Sequence, residues 1–290
     1  MPGKLVILAG GIGSRMKRPP EKVIIDDCRL TKDADEKPKA MIGIGAAHSP
    51  FLDYLLYNAR EAGYRDVVIV IGDKDDYIRL YYGEKDRNND FHGLSISYAL
   101  QAIPEGREKP LGTADALLQA LIVREDWAGR KFTVCNSDNL YSTHALRLLL
   151  ETPYDNAMIA YDRSALEFEE ERIEKFAVIL KDDAGYLKGI IEKPSRDEID
   201  QARDSSGKLE VSMNIFSFSY PLILPVLQVV PLHPVRNEKE LPFAVNLLVT
   251  EYQKEVMNYP LSEHVPDLTT KDDIVRVWGE IDRIYKDFRY

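Results

Sequence analysis

Two short runs of this chain are apolar without alternation: residues 4–8 (KLVIL) and 67–71 (VVIVI). A strand with one face in water alternates, whereas a strand covered on both faces does not. Between the runs, residues 50–62 (PFLDYLLYNAREA) have helical spacing. Leu52, Leu55, Leu56 and Ala59 share a face there, and Gly63 stands where a left-handed cap ends a helix. Doubly covered strands joined by helices make a parallel sheet with helices on both sides. The alternation goes on with a strand at 94–100, a helix at 114–123 and a strand at 132–135 that runs into Asn136-Ser137-Asp138-Asn139. A helix at 143–150 and a strand at 157–161 follow. In such sheets ligands sit at the carboxyl ends of the strands.

The second half reads differently. Two strands flank a turn at 182–185, and residues 210–219 (EVSMNIFSFS) alternate as one further strand. Helices are predicted over 222–230 and 241–249. A last helix follows Thr269 and Thr270, with Ile274, Val277, Trp278, Ile281, Ile284 and Phe288 on one stripe. Residues 15–38 are charged and proline-containing, and read as a mobile loop with a short strand at 23–25. There is no internal repeat, low-complexity tail or clear linker. The expectation is a single domain over 1–290: α/β, Rossmann-like, three layers (α/β/α), with a mostly parallel mixed sheet and a small antiparallel annex.

Bulk properties narrow the function classes. The formal net charge of -10 over 290 residues argues against general nucleic-acid binding. It leaves room for a small basic pocket around an anion. Cys28 and Cys135 have no Cys or His at metal spacing, which suits a reduced, cytoplasmic protein. The first residues are too short for a signal-peptide core, and no stretch approaches the ~20 apolar residues of a membrane span, so no membrane partner is expected. His48, His92, His144, His233 and His264 form no cluster.

Residues 8–16 (LAGGIGSRM) follow the first apolar run directly. As a dinucleotide fingerprint the segment is incomplete, because Met16 replaces the third glycine and no acid ends a second strand ~20 residues on. Asp26 and Asp27 come too early. It is not a P-loop, since no Gly-Lys-Ser/Thr follows. Alone, it is either a strand–helix turn or a loop whose backbone approaches phosphates.

Its neighbours carry more. Glu36-Lys37-Pro38-Lys39 leads into the first helix, an order that resembles the start of the sugar-nucleotide pyrophosphorylases. Residues 97–120 (SYALQAIPEGREKPLGTADALLQA), 136–141 (NSDNLY), 189–195 (GIIEKPS), 211–218 (VSMNIFSF) and 265–274 (VPDLTTKDDI) resemble further segments of that family in the same order. The nearest likeness is to nucleotidyltransferases with a Ser-Met-Asn strand, here Ser212-Met213-Asn214. The chain departs from the family in its long 15–39 segment and in Ser-Asp-Asn where many relatives have Gly-Asp. Nothing after Tyr290 supplies the left-handed β-helix of some members, so no acyltransferase activity is expected.

The resemblance implies a GT-A-like fold of the nucleotide-diphospho-sugar transferase kind. It also implies transfer of a nucleotidyl group from a nucleoside triphosphate, UTP or dTTP by preference, to a sugar-1-phosphate, with pyrophosphate leaving. On that reading Leu8, Ala9, Gly10, Gly11 and Gly13 bring backbone N–H groups to the triphosphate. Arg15 grips the outer phosphates with its planar fork, and Lys39 meets charge growing on the α-phosphate. Gln101 reads the base edge, while Gly112 and Thr113 form the turn against which the base lies. Asp138, at a strand end, and Asp267 hold Mg2+ through hard oxygens. Glu192 takes sugar hydroxyls and Lys193 the sugar phosphate. Asn214 either reaches a sugar hydroxyl or is satisfied by backbone. Three outcomes stay open: a sugar acceptor, another phospho-alcohol, or a binding paralogue without chemistry. A homo-oligomer stays open too.

Overall fold

The first apolar run lies at the centre of the molecule in the structure, a computed structural model that describes residues 2–23, 27–73, 76–204 and 206–286. β1 (Gly3–Leu8) leads through the glycine run to α1 (Cys28–Glu36) and a small antiparallel ladder of β2 (Gly43–Ile44) with β3 (Ser49–Pro50). α2 (Phe51–Ala62), β4 (Tyr64–Gly72), α3 (Asp76–Tyr82), β5 (Asn89–Phe91) and β6 (Leu94–Gln101) follow. Then come α4 (Thr113–Val123), β7 (Lys131–Asn136), α5 (Thr143–Glu151) and β8 (Ala157–Asp162). The second half holds α6 (Glu170–Ile173), β9 (Ala177–Lys181), β10 (Leu187–Ile191), α7 (Arg196–Gln201), β11 (Glu210–Ser212) and β12 (Phe216–Ser219). α8 (Tyr220–Val229), α9 (Leu241–Thr250), β13 (Met257–Leu261) and α10 (Lys271–Ile284) complete it.

Among the described residues the main sheet has 11 strands in the order β10-β9-β11-β8-β12-β7-β1-β4-β6-β5, with β13 added on β8. β7, β1, β4 and β6 are mutually parallel. β8, β9 and β13 run the same way, and β5, β10, β11 and β12 run against them. The expected α/β class is thus observed, and the later antiparallel strands continue the same sheet.

Alternate residues of one strand point to opposite faces, which explains the unbroken apolar runs. Leu5, Ile7, Val67 and Ile69 face a core built with α1, α2, α5 and α10. Val6, Leu8, Val68 and Val70 face a second core built with α4, α8 and α9. Each such side chain removed from water contributes roughly 1.5–3 kcal/mol. Gly63 ends α2 at φ 113°, as its position after Ala62 requires.

Four expectations need correction. Residues 15–38 are not loop throughout, because 28–36 form α1. The Asp27 carboxylate caps it by accepting from Arg29 N–H at 2.8 Å, and Leu30 and Ala34 turn into the core. Of the strand expected at 23–25, Val23 is not in a strand and Ile24 and Ile25 lie outside the described residues. The single strand expected over 210–219 is two, β11 and β12, separated by Met213-Asn214-Ile215 with Asn214 at φ 55°. The last helix buries Ile274, Val277 and Ile281, but Ile284 is 56% exposed and Phe288 lies outside the described residues.

The N-terminus of α10 rivets the long 15–39 excursion to the body. Backbone N–H groups of Glu21, Lys22 and Val23 donate to the Asp272 carboxylate at 3.1, 2.9 and 3.1 Å. Lys271 Nζ reaches Asp35 of α1 at 2.5 Å. Asp33, two residues before Asp35, anchors the same half of α1, accepting from Gly43 N–H at 3.1 Å and pairing with Lys37 at 2.8 Å.

Candidate active site

The carboxyl ends of β1, β6 and β7 open on a cleft of about 290 Å³. Its floor is Leu8, Ala9, Gly10 and Gly11, continuing β1. Ala9 N–H still donates to Val70 O at 2.9 Å, so the loop leaves the sheet at Gly10. A side chain at Gly11 would meet nothing within 4 Å, which leaves that stretch of backbone open to a ligand. Gly13 has φ 61°, a conformation that L side chains resist, and its Cα faces the Lys39 side chain. The turn closes with Met16 N–H on Gly13 O at 2.9 Å, and Met16 is buried as an anchor.

Lys39 and Asp138 meet across this floor. Lys39 sits in a single helical turn, 39–41, after Pro38, and its Nζ lies 2.7 Å from Asp138 Oδ2. Burial by itself would raise the Asp138 carboxyl. The Lys39 ammonium, its hydrogen bond and the more distant Arg15 charge outweigh burial and hold that carboxyl below the ordinary range. Arg15 is exposed and its guanidinium makes no hydrogen bond or ion pair with a described residue, though its charge is felt at Asp138.

Asp267 comes to the same place from the far end of the chain. Asn139 and Asp267 form an antiparallel bridge, and Leu268 N–H donates to Asp138 O at 2.8 Å. Burial, and then the Asp138 charge, push the Asp267 carboxyl up, while Arg172 pulls it down. Arg172 lies 2.8 Å from Asp267 Oδ2 and also pairs with Asp273, and Thr269 Oγ1 donates to Asp267 Oδ1 at 2.5 Å. Two adjacent carboxylates are able to hold a divalent cation. Among the described residues no group of three or more His, Cys, Asp or Glu gathers. Paired carboxylates supply the hard oxygen ligands that Mg2+ takes, although Arg172 and Thr269 hold the two Asp267 oxygens here.

The other wall comes from β6 and the start of α4. Gln101 Nε2 donates to Gly112 O at 2.9 Å and to Asp115 Oδ2 at 2.8 Å. Gly112 has φ 110°, and a Cβ there would lie 2.6 Å from Lys239 O, so only glycine lets the 110–113 and 238–241 segments meet. Thr113 lines the cleft, and its hydroxyl also accepts from Leu241 N–H at 2.9 Å, at the start of α9.

Glu192, Lys193 and Asn214 do not line this cleft. Glu192 pairs with Arg236, which also holds Glu240. Burial, together with the Glu192 charge, pushes Glu240 up to about 7. Lys193 is exposed at φ 50°. Asn214 is not satisfied by the backbone at its Oδ1, which is buried and accepts no hydrogen bond from a described residue. The residues that sequence reasoning missed are Arg172, Arg236 and Asp115. Asp115 was visible as an acid in the first turn of a helix, whereas the two arginines act only through partners far away in sequence.

The profile of the nucleotidyl transferase family matches residues 4–257. The bifunctional protein GlmU of Staphylococcus saprophyticus is 23% identical over 85% of this chain and 45% of its own length. A D-glycero-alpha-D-manno-heptose 1-phosphate guanylyltransferase of Aneurinibacillus thermoaerophilus is 27% identical over 47% of this chain and 46% of its own. The chain thus spans about half the length of the curated relatives it matches. A UDP-glucose pyrophosphorylase of Acinetobacter baumannii superposes with TM-score 0.69 at 17% identity, over 99% of this chain and 95% of that one. The likeness in fold and a family match that runs from β1 to the start of β13 agree with the cleft built above: the chain belongs to the nucleotidyl transferase family.

Proposed function

We propose that the protein is an Mg2+-dependent nucleotidyltransferase that joins a nucleoside triphosphate, UTP or dTTP by preference, to a sugar-1-phosphate. One observation carries this reading: the Lys39–Asp138 pair at the open end of a glycine-floored cleft, with Asp267 alongside. The names of the similar proteins, which include a sugar-phosphate guanylyltransferase and UDP-glucose pyrophosphorylases, support it.

In the reaction, an acceptor phosphate oxygen attacks the α-phosphorus in line. The new P–O bond forms as the bond from that phosphorus to the bridging oxygen breaks, and pyrophosphate leaves with its electron pair. Such transfers depend on positioning and charge stabilisation. The backbone at Gly10 and Gly11 receives the phosphates. Arg15, exposed at the mouth and without a described partner, grips the outer phosphates. Lys39 turns from Asp138 to the α-phosphate as negative charge grows there. Bound Mg2+ would supply further charge neutralisation, with Asp138 and Asp267 as its protein ligands. Asn214 offers its unused carbonyl to an acceptor hydroxyl, and Lys193 meets the acceptor phosphate.

Glu192 is tied to Arg236, and this favours a second reading of the acceptor as a phospho-alcohol other than a sugar. Pyrophosphate release, measured with Mg2+, the four common nucleoside triphosphates and pooled acceptors of both kinds, tests the proposal. Turnover with a sugar-1-phosphate is expected. No release with any acceptor would favour a binding protein.

A further inference from the structure

We propose that Asp115 sets nucleobase choice by locking the Gln101 side chain so that only its carbonyl oxygen faces the cleft. This rests on the nucleotide-binding reading given above.

Gln101 is 3% exposed, and both N–H bonds of its amide are spent. One goes to Gly112 O and the other to Asp115 Oδ2. A main-chain carbonyl and an ionised carboxylate only accept. Turning the amide over would set its oxygen against two oxygens, so the chemistry of the partners permits one orientation. Asp115 is itself fixed. It is 7% exposed, lies in the first turn of α4 where a helix terminus favours negative charge, and accepts from Gln119 Nε2 at 3.3 Å.

The cleft therefore receives no N–H from Gln101. Its Oε1 accepts no hydrogen bond from a described residue and lies against Gly10, where a Cβ would approach it to 3.2 Å. Both residues line the cleft. A base that docks here must present a ring N–H to that oxygen. Uracil and thymine do so at N3, and guanine does at N1. Cytosine N3 and adenine N1 carry a lone pair at the matching place, and would set it against the Gln101 lone pair. Discrimination thus works within each size class, UTP over CTP and GTP over ATP. A site built around one hydrogen bond rejects the partner that lacks it far more strongly than shape alone does.

The test is calorimetric binding of UTP, CTP, GTP and ATP, each with Mg2+, to the wild type and to Asp115→Asn. Asparagine can offer either N–H or carbonyl to Gln101, so only Gly112 O still opposes turning of the glutamine amide and the turned form gains population. The wild type is expected to bind UTP at least about tenfold more tightly than CTP, and the variant to narrow that ratio by at least about threefold. Asp115→Ala removes the acceptor outright and gives the same readout should the asparagine variant fail to fold. Equal wild-type affinity for UTP and CTP, or an unchanged ratio in a folded variant, overturns the role of Asp115 while leaving nucleotide binding intact. No binding of any of the four to the wild type overturns the nucleotide reading itself.

Discussion

Arg15 and Lys39 lie on the same polar excursion yet stand in different surroundings. Lys39 is tied to Asp138 at 2.7 Å, whereas Arg15 is exposed and without a described partner. An unpaired guanidinium is free to take phosphate oxygens. Arg15→Ala should therefore raise KM for the nucleotide about tenfold or more and leave KM for the acceptor nearly unchanged. Equal losses for both substrates in steady-state kinetics would remove Arg15 from the phosphate end. Elsewhere, Asp53 is wholly buried in α2 and accepts from the Tyr81 and Tyr82 hydroxyls at 2.8 and 2.7 Å. Burial pushes its carboxyl up to about 6, and the two tyrosine hydrogen bonds only partly oppose this. The ordinary value is 3.8, so the folded state holds a proton that the unfolded chain has lost between those limits. Stability from this group is full below the unfolded value and is lost as pH rises through the folded one. The loss is on the order of 3 kcal/mol above the transition. Thermal melts of Asp53→Asn against the wild type should diverge from pH 4 to pH 6 and run parallel above that. A constant difference across that range would contradict the assignment.

The element with the widest reach is the first turn of α10. Asp272 gathers three backbone N–H groups from 21–23, Lys271 holds α1 through Asp35, and Asp273 holds Arg172. Asp267 lies just before that turn. Asp272→Ala should release the 17–23 stretch while the sheet stays folded. Limited trypsinolysis should then cut after Lys17 or Lys22 at least several times faster than in the wild type, with the far-ultraviolet dichroism unchanged. Equal cleavage rates would mean that other contacts hold the stretch. This docking was not legible in the sequence, since its contacts join residues far apart along the chain, such as Lys271 and Asp35. α1 was legible in principle, through the Asp27 cap and the Leu30–Ala34 spacing, but the surrounding charges and prolines hid it. The break at Asn214 was hidden differently. Alternation survives across 210–219, and only the positive φ at Asn214 ends one strand and starts the next.

At the scale of the molecule, the parallel half was readable because its strands are covered on both faces, and such burial demands apolar side chains at every position of the run. The joining of the second-half strands to the same sheet was not, because strand partners such as Val211 and Tyr161 are chosen by the register of a sheet, not by local pattern. The cleft was legible at the strand ends: Gly10, Gln101 and Asp138 lie there, at the ends of β1, β6 and β7. The arginine contacts were not, since Arg236 and Arg172 approach Glu192 and Asp267 from remote segments. A chain of net charge -10 thus sets Lys39 against Asp138 in the cleft, with the Arg15 charge felt there and Asp267 alongside. Pyrophosphate release by the wild type, Asp138→Ala and Asp267→Ala, followed across a titration of Mg2+, tests that arrangement most directly. The account predicts wild-type turnover that saturates with Mg2+ and falls by at least about 100-fold in each folded variant. Turnover without the metal, or a variant as active as the wild type, would contradict it.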